Sequence, residues 1–298
     1  MKLPNFILIG VQKAGTSAVA KSLGEHPEIF MSPMKEPGFF DFYGLHPNFC
    51  GPKDKEAYQY SKIHLQEYCQ LFHSVTNEIA IGEATTWYLQ SEKAPFTIKR
   101  HIPNAKLIVI LRNPVDRAYS AFMHATRDNR EPLQDFKEAF NLESIRVTQN
   151  WGYMWRYKSM GLYSMALKRY LSVFDKNQIK IFLYEDLCNQ PQIIYRDIFN
   201  FLGVNNDFVP YYDARYNISG VPKSRVLDDV VRGKSKFKRL FKYIPKTIKK
   251  PIANYLRIKN MSKINLSIET RKELIKFFEE DILEVQELIN RDLSQWLT

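Results

Sequence analysis

Cysteine is scarce in this sequence, and long apolar runs are missing. The three cysteines, Cys50, Cys69 and Cys188, form neither a CxxC pair nor a Cys/His cluster with zinc-ligand spacing. This argues against a disulfide framework and a zinc site, and it fits a reducing compartment. The first apolar run, Phe6–Ile9, begins almost at the N-terminus with no signal peptide before it. No run approaches the roughly 18 apolar residues of a membrane-spanning helix, so we expect a soluble, cytoplasmic protein.

Acidic residues are absent from one segment near the C-terminus. Residues 230–263 contain 12 Lys and Arg side chains and no Asp or Glu, while the whole chain has a net charge of +11. Subtracting 12 from 11 leaves −1 for the remainder of the chain. Apolar residues recur in this segment every three or four positions, which predicts a partly helical insertion with a cationic face. Three roles stay open: peripheral contact with an anionic membrane, a lid that packs on the protein, and steering of acidic ligands.

Short apolar runs alternate with helical patterns along the chain. The runs lie at residues 5–9, 79–81, 107–111 and 179–183. Helical periodicity is found at residues 17–23, 115–126, 162–174, 192–202 and 268–288. This alternation is typical of an α/β three-layer sandwich, in which a central parallel sheet is flanked by helices. Because no repeat or linker divides the chain, we expect a single domain over residues 1–298.

The loop after the first strand has the composition of an anion site. Gly10–Ser17, with the sequence GVQKAGTS, joins this strand to a helix. Backbone N–H groups and the positive end of a helix dipole favour an anion there. Lys13, Thr16 and Ser17 add a charge and two hydroxyl groups. The loop resembles a Walker A motif but is not one, because Thr16 follows the second glycine where that motif has lysine. A generic turn without a ligand is the alternative.

A second polar cluster follows the run at 107–111. Arg112 stands at the carboxyl end of this predicted strand, where parallel sheets bind their ligands. Pro114 suits a helix start, and Ser120 lies one to two turns further on. An arginine and a hydroxyl in this arrangement are suited to clamp a phosphate. For Arg112 alone, a surface ion pair is the alternative.

Further side chains are candidates for proton transfer or for binding a second ligand. Glu36 precedes an aromatic pair that would exclude water, so it is a candidate general base, with a solvated surface carboxylate as the alternative. Glu83 would assist a second ligand or form a charge pair with Lys13 or Arg112. His124 would line the pocket or serve a structural role. Trp87 belongs to an aromatic group that suits sugars and long chains, or else packs in the core.

Taken in order, these motifs resemble those of sulfotransferases that use 3′-phosphoadenosine 5′-phosphosulfate (PAPS). Gln12–Ser17 resembles their 5′-phosphosulfate loop, and Leu111–Ser120 resembles their 3′-phosphate motif. Lys35–Phe40 is similar to the catalytic-glutamate segment of the heparan sulfate branch and its bacterial relatives. Other segments that match this branch are Gly82–Thr85, Gly161–Tyr163, Tyr184–Leu187, Phe201–Val204 and Leu293–Leu297.

The resemblance implies a P-loop-like fold and a metal-independent transferase. A sulfuryl group would pass from PAPS to a hydroxyl or amine of a glycan, lipid or small molecule, and no nucleic acid is expected as a partner. Lys13 would stabilise the bridging oxygen as sulfate leaves, and Glu36 would deprotonate the acceptor. The residues implied in donor binding are Gln12, Lys13, Ala14, Gly15, Thr16, Ser17, Arg112, Ser120 and, in a late basic loop, Lys223, Ser224 and Arg225. The candidates for the acceptor site are Glu83, Trp87, His124 and Tyr163.

Two rival hypotheses belong to other classes. A P-loop nucleotide kinase would need a Walker A lysine and acidic magnesium ligands after a strand. The predicted strand at 107–111 is followed by Arg112 instead of an acidic residue. A non-enzymatic protein that binds anionic membranes or polyanions would rest on the basic segment at 230–263 alone.

Overall fold

A five-stranded parallel sheet forms the centre of the protein in the computed structural model, which describes residues 2–211, 221–222, 261–262 and 266–298. In chain order its strands are β1 (Phe6–Gly10), β2 (Ile29–Met31), β3 (Ala80–Ala84), β4 (Lys106–Leu111) and β5 (Ile179–Leu183). Their spatial order is β2-β3-β1-β4-β5. A separate antiparallel pair joins β6 (Val221–Pro222) to β7 (Met261–Ser262).

Helices flank this sheet, so the predicted α/β fold is confirmed. The α-helices are α1 (Thr16–Leu23), α2 (Phe39–Phe42), α3 (Asp54–Tyr58), α4 (Leu65–Cys69), α5 (Ala94–His101), α6 (Pro114–Arg127), α7 (Phe136–Asn141), α8 (Glu143–Thr148), α9 (Ser164–Leu171), α10 (Tyr184–Asn189), α11 (Pro191–Leu202) and α12 (Ile268–Ile289). Short 3₁₀ helices cover Gln70–Phe72, Tyr88–Gln90, Tyr153–Trp155, Ser159–Gly161, Lys176–Gln178 and Ser294–Leu297. Helix α12 packs against α6 and α9.

The two strands at the centre of the sheet are fully buried. Phe6–Ile9 in β1 and Leu107–Leu111 in β4 are 0% exposed. Both sequences are unbroken apolar runs, as expected for parallel strands that are covered on both faces. These two strands pair with each other, with Leu8 opposite Ile108. The core of the protein is therefore built around the strands whose carboxyl ends carry the two predicted anion motifs.

Several predicted elements shift by a few residues. Strand β3 was expected at 79–81 but extends to Ala84, so Glu83 lies within the strand rather than after it. Helix α9 starts later than predicted because the backbone N–H groups of Tyr163 and Ser164 donate to the Asp281 carboxylate, at 2.7 and 3.0 Å, just before and at its first residue. The helix predicted at 268–288 is confirmed as α12, and Ser267 caps its start because the Ser267 hydroxyl accepts from the N–H of Thr270 at 3.1 Å.

Some predictions fall beyond the described residues. Lys223, Ser224 and Arg225 lie outside them, as does the basic segment 230–263 apart from residues 261–262. Within the described ranges, no helix combines the length and the apolar character needed to cross a membrane.

The connections of the sheet mark where a ligand would bind. From β1 the chain turns towards one edge of the sheet to form β2, and from β4 it turns towards the opposite edge to form β5. In open parallel sheets, ligands bind in the crevice beyond the carboxyl ends of strands at such a reversal. Here the crevice lies between the ends of β1 and β4.

Candidate active site

A cleft of about 190 Å³ opens at this position. It brings the two predicted anion motifs together with Glu36, although these stretches are far apart in the sequence. Its lining residues are Gln12, Lys13, Gly15, Thr16, Ser17, Lys35, Glu36, Thr86, Arg112, Ser120, His124, Met154 and Tyr184. Of the loop residues predicted to bind the donor, Ala14 is fully buried and does not line the cleft.

The loop after β1 turns its backbone towards the cleft. Lys13 and Gly15 have left-handed backbones, with φ of 73° and 80°. Helix α1 then begins at Thr16, and among the described residues no side chain caps its first N–H groups. The positive end of the helix dipole and these N–H groups therefore face the space beside Lys13 and Ser17. This is the local geometry of an anion site.

Arg112 connects this loop to the end of β4. Its guanidinium donates a hydrogen bond to the backbone carbonyl of Lys13 at 2.7 Å. The same guanidinium lies over the Tyr184 ring, 4.6 Å from the centroid. A side chain at Gly15 would approach that ring to 3.2 Å, and its φ of 80° also favours glycine. Tyr184 thus supports both loops, and we call residues 12–17, Arg112, Ser120 and Tyr184 the cationic wall.

Positive charges converge on Lys13. The pKa of Lys13 is lowered from 10.5 to about 8, first by burial and then by the charges of Arg127, Arg112 and Lys35, against the opposing effect of Asp128. Among the described residues, neither Lys13 nor Arg112 forms an ion pair with a carboxylate within 4.0 Å. A multiply charged anion would relieve this repulsion and stabilise the charged form of the lysine.

Glu36 faces the cationic wall from the other side of the cleft. Its backbone is left-handed, with φ of 60°, and its N–H donates to the carbonyl of Ala84 at 2.8 Å. The Thr86 hydroxyl donates to Glu36 Oε1 at 2.8 Å. Lys35 Nζ lies 3.7 Å from the same oxygen and donates to Ser17 Oγ at 2.5 Å. The structure thus brings the predicted base into contact with the donor loop through Lys35.

His124 lines the cleft as a neutral imidazole. Its pKa is lowered to about 3, first by burial and then by the charges of Lys13 and Arg127, although Asp128 lies 3.4 Å from Nε2 and opposes the shift. Its Nδ1 is buried without a hydrogen-bond partner among the described residues. A histidine with this pKa is too weak a base to take a proton near neutral pH, but it can make a hydrogen bond to a ligand.

A narrower slot of about 50 Å³ adjoins the cleft. It shares Gln12, Glu36, Thr86 and Met154 with the cleft. Its other lining residues are Ala57, Tyr58, Trp87, Tyr153 and Met160. The rings of Trp87 and Tyr153 are parallel at a centroid distance of 5.9 Å. We call these five residues together with Met154 the aromatic wall.

Two predicted acceptor residues lie elsewhere. Glu83 is 0% exposed and accepts hydrogen bonds from Tyr68 at 3.2 Å and Thr85 at 2.8 Å, so it lines neither cavity and pairs with neither Lys13 nor Arg112. Burial raises the pKa of Glu83 to about 7, although the Thr85, Tyr88 and Tyr68 hydroxyls oppose the shift. Tyr163 is also buried, and its hydroxyl donates to the carbonyl of Arg112 at 2.9 Å.

Sequence patterns missed several residues that line the cleft. Thr86 follows β3 and has no motif of its own, while Met154 lies in a 3₁₀ helix far from the motifs. Tyr184 belongs to a segment that the family resemblance covers, but its position beneath Arg112 depends on tertiary structure. The only available signal was the rule that ligands bind at strand ends, because Thr86 follows β3 and Tyr184 follows β5.

The fold and this cleft define a parallel α/β protein with an anion-binding crevice between two adjacent strand ends. The chain belongs to the sulfotransferase family, whose model matches residues 4–207. Over its full length it is 33% identical to a sulfotransferase from Alicyclobacillus acidocaldarius, covering 100% of both chains with a TM-score of 0.79.

Curated relatives extend beyond the matched region. The chain is 29% identical to the bifunctional heparan sulfate N-deacetylase/N-sulfotransferase 4 of Mus musculus, over 71% of this chain and 23% of that protein. It is 31% identical to carbohydrate sulfotransferase 15 of Homo sapiens, over 68% of this chain and 44% of that protein. The chain thus spans less than half the length of these relatives. Family membership does not favour the kinase alternative.

Proposed function

We propose that this protein transfers a sulfuryl group from PAPS to a hydroxyl or amine of a glycan, lipid or small molecule. One observation carries the proposal: a single cleft holds the cationic wall on one side and Glu36 on the other. The cations suit an anionic donor, and the carboxylate suits an acceptor that must lose a proton. Similarity to the Alicyclobacillus sulfotransferase over the whole chain supports the same activity.

The cationic wall fits the two charged ends of the donor. The loop N–H groups, Lys13, Thr16 and Ser17 would hold the 5′-phosphosulfate, as expected at a helix N-terminus. Arg112 and Ser120 would hold the 3′-phosphate, since both line the cleft and an arginine can bind phosphate with two hydrogen bonds. The buried Oε1 of Gln12 has no partner among the described residues and is available to a bound ligand.

PAPS supplies the sulfuryl group, and the side chains around it provide charge and proton transfer. Lys13 would place its ammonium group where negative charge develops on the leaving oxygen. Glu36 would accept the proton of the acceptor hydroxyl or amine. Two contacts hold the frame of these groups before a ligand binds: Thr86 holds the Glu36 carboxylate, and Arg112 holds the backbone carbonyl of Lys13.

The slot beside Glu36 would receive the acceptor. Its walls are largely aromatic and thioether groups, which pack against apolar faces of sugars or against chains. Trp87 is 7% exposed, and its buried Nε1 has no partner among the described residues, so an acceptor oxygen would satisfy it. His124 would contribute a neutral hydrogen-bonding group at the border between donor and acceptor.

Two measurements test this function. The desulfated donor, adenosine 3′,5′-bisphosphate, should raise the melting temperature in the absence of magnesium, because it binds the folded protein only. An acceptor screen with radiolabelled PAPS against glycans and lipids should then yield a labelled product. Stabilisation by ATP that requires magnesium, with none by the bisphosphate, would favour a kinase instead.

Location and membrane contact are further proposals. The three cysteines are free thiols, which supports a reducing compartment and hence a cytoplasmic protein. The basic segment 230–263 would contact the anionic surface of a membrane that faces the cytoplasm. Vesicle sedimentation tests the contact: binding should require anionic lipid, weaken with salt, and vanish when residues 232–258 are deleted. If the protein does not sediment with anionic vesicles at low salt, the membrane role is wrong, and the lid and the steering of acidic ligands are the roles left for this segment.

A further inference from the structure

We propose that Thr86 is a positioning residue that fixes the orientation of the Glu36 carboxylate. The inference rests on the proposed function, in which Glu36 takes the proton of the acceptor. Thr86 is 2% exposed, lines both the cleft and the slot, and donates its hydroxyl hydrogen to Glu36 Oε1 at 2.8 Å.

The segment after β3 holds Glu36 at two points. The Glu36 N–H donates to the carbonyl of Ala84 at 2.8 Å, and two residues further along the same segment Thr86 holds the side chain. The left-handed backbone of Glu36, with φ of 60°, is uncommon for a residue other than glycine. The segment after β3 therefore holds both the backbone and the carboxylate of Glu36.

The two oxygens of the carboxylate have different surroundings. Thr86 and Lys35 both approach Oε1. Among the described residues, no hydrogen bond is made to Oε2, which is therefore the atom available to accept a proton. The Glu36 side chain is 34% exposed, so without Thr86 it would sample other rotamers. Loss of orientation at a reacting group lowers the rate without a corresponding loss of ligand affinity.

The adjacent residue provides a matched control. Thr85 makes the same kind of hydrogen bond, also 2.8 Å long, to Oε2 of Glu83. Both threonines are buried, and both donate to a glutamate. Glu83 lies outside both cavities, however, so Thr85 differs from Thr86 in contacting a carboxylate that does not face a ligand.

The experiment compares Thr86→Val, Thr86→Ser and Thr85→Val in the full chain. Thr86→Val keeps the shape but removes the donor, so kcat should fall about 10- to 100-fold while the bisphosphate affinity changes less than about twofold. Thr86→Ser restores the hydroxyl and should recover kcat to within about threefold of wild type. Thr85→Val should lower the melting temperature but leave kcat near wild type.

Two outcomes would overturn the proposal: wild-type kcat in Thr86→Val, or equal losses of kcat in Thr86→Val and Thr85→Val. Crystal structures of wild type and Thr86→Val provide a readout that needs no activity. The Glu36 carboxylate should leave its wild-type position in the variant, and an unchanged carboxylate would reject the positioning role. Failure of the proposed function is distinguishable, since wild type would then neither bind the bisphosphate nor transfer sulfate.

Discussion

The cationic wall and the aromatic wall of the site are built in different ways. The cationic wall consists of a backbone loop and charged side chains that are tied together, through Arg112 and Tyr184, at the ends of three parallel strands. The aromatic wall consists of side chains from irregular segments and short helices around Tyr58 and Tyr153, with flexible methionines at its edge.

This difference implies that the cationic wall tolerates few substitutions, whereas the aromatic wall can vary. A wall of backbone N–H groups and clustered cations recognises any ligand with the same anionic groups, and it tolerates few changes. Side chains that project from loops can be exchanged without disturbing the sheet. We therefore expect changes in the cationic wall to affect the donor, and changes in the aromatic wall to affect the acceptor.

Removing the proposed base is the strongest test of this division. Glu36→Gln keeps the size of the side chain and its contact with Thr86 but cannot take a proton, so kcat should fall about 100- to 10,000-fold. The bisphosphate affinity, measured by calorimetry, should stay near wild type. Loss of nucleotide binding in Glu36→Gln would show that Glu36 belongs to the donor side.

The second test removes the charge from the donor loop. Lys13→Ala should lower kcat about 100- to 1,000-fold, which is typical for the loss of one transition-state donor. The melting temperature should not fall, because the variant removes the charge repulsion between Lys13 and the surrounding Arg127, Arg112 and Lys35. Lys180→Ala, on the exposed side of β5, is the control and should leave turnover unchanged. Turnover near wild type in Lys13→Ala would contradict the assignment.

Arg112 tests whether the cationic wall acts as one unit. Arg112→Ala should weaken bisphosphate binding about 10- to 100-fold, because a charged hydrogen-bond donor is lost. It should also lower kcat, since the Lys13 carbonyl loses its partner. Arg169 likewise donates to a backbone carbonyl, that of Ser91, at 3.2 Å. Arg169→Ala is therefore the control. If it loses as much bisphosphate affinity as Arg112→Ala, the loss reflects lower stability and not a contact with the ligand.

A smaller effect is expected on the aromatic side. Trp87→Phe keeps a ring in the slot but removes the indole N–H, so the KM for the acceptor should rise about 3- to 10-fold. The KM for PAPS should not change. If both KM values rise together, the two walls are not independent, and the division of roles is wrong.

The smallest effect on turnover is expected at Glu83, whose role lies in stability. Its pKa is raised from 4.5 to about 7 in the folded protein, so folding favours the protonated form. The associated stability is present below pH 4.5 and is lost as the pH rises towards 7. Across this range, denaturation should show wild type losing stability relative to Glu83→Gln. The control is Glu67→Gln at an exposed position, which should not show this change with pH. If the difference in stability between wild type and Glu83→Gln does not depend on pH, the prediction is wrong.

Sequence alone predicted which segments form most of the cationic wall. Its residues follow long apolar strands, and a loop or an arginine at the end of such a strand has a position fixed by the sheet. The strand pattern placed the loop at residues 10–17 and Arg112 at strand ends, the family resemblance assigned them to one site, and Gln12, Lys13 and Arg112 all line the cleft. Short strand β2 was not predicted, because three residues carry too little periodicity.

The acceptor side was harder to predict, for a physical reason. Neighbouring residues in an extended segment point to opposite sides. The sequence does not show where β3 ends, so it could not decide whether Glu83 or Thr86 faces the cleft. Glu83 was expected after the strand, but β3 includes it and buries it. Tyr163 was placed in the acceptor site, yet it reaches the carbonyl of Arg112 from the core.

The hydrogen bond from Arg112 to Lys13 also links the site to the folding cooperativity of the sheet. It joins positions 99 residues apart in the chain, and it can form only once β1 and β4 have paired. The β1–β4 pairing beneath it should open only in the global unfolding event, whereas we expect the segments that carry Tyr58 and Tyr153, which lie outside the sheet, to open in smaller local fluctuations. Native-state hydrogen exchange would then be slow around the donor and faster around the acceptor, so that an acceptor can enter and leave while the donor half stays intact.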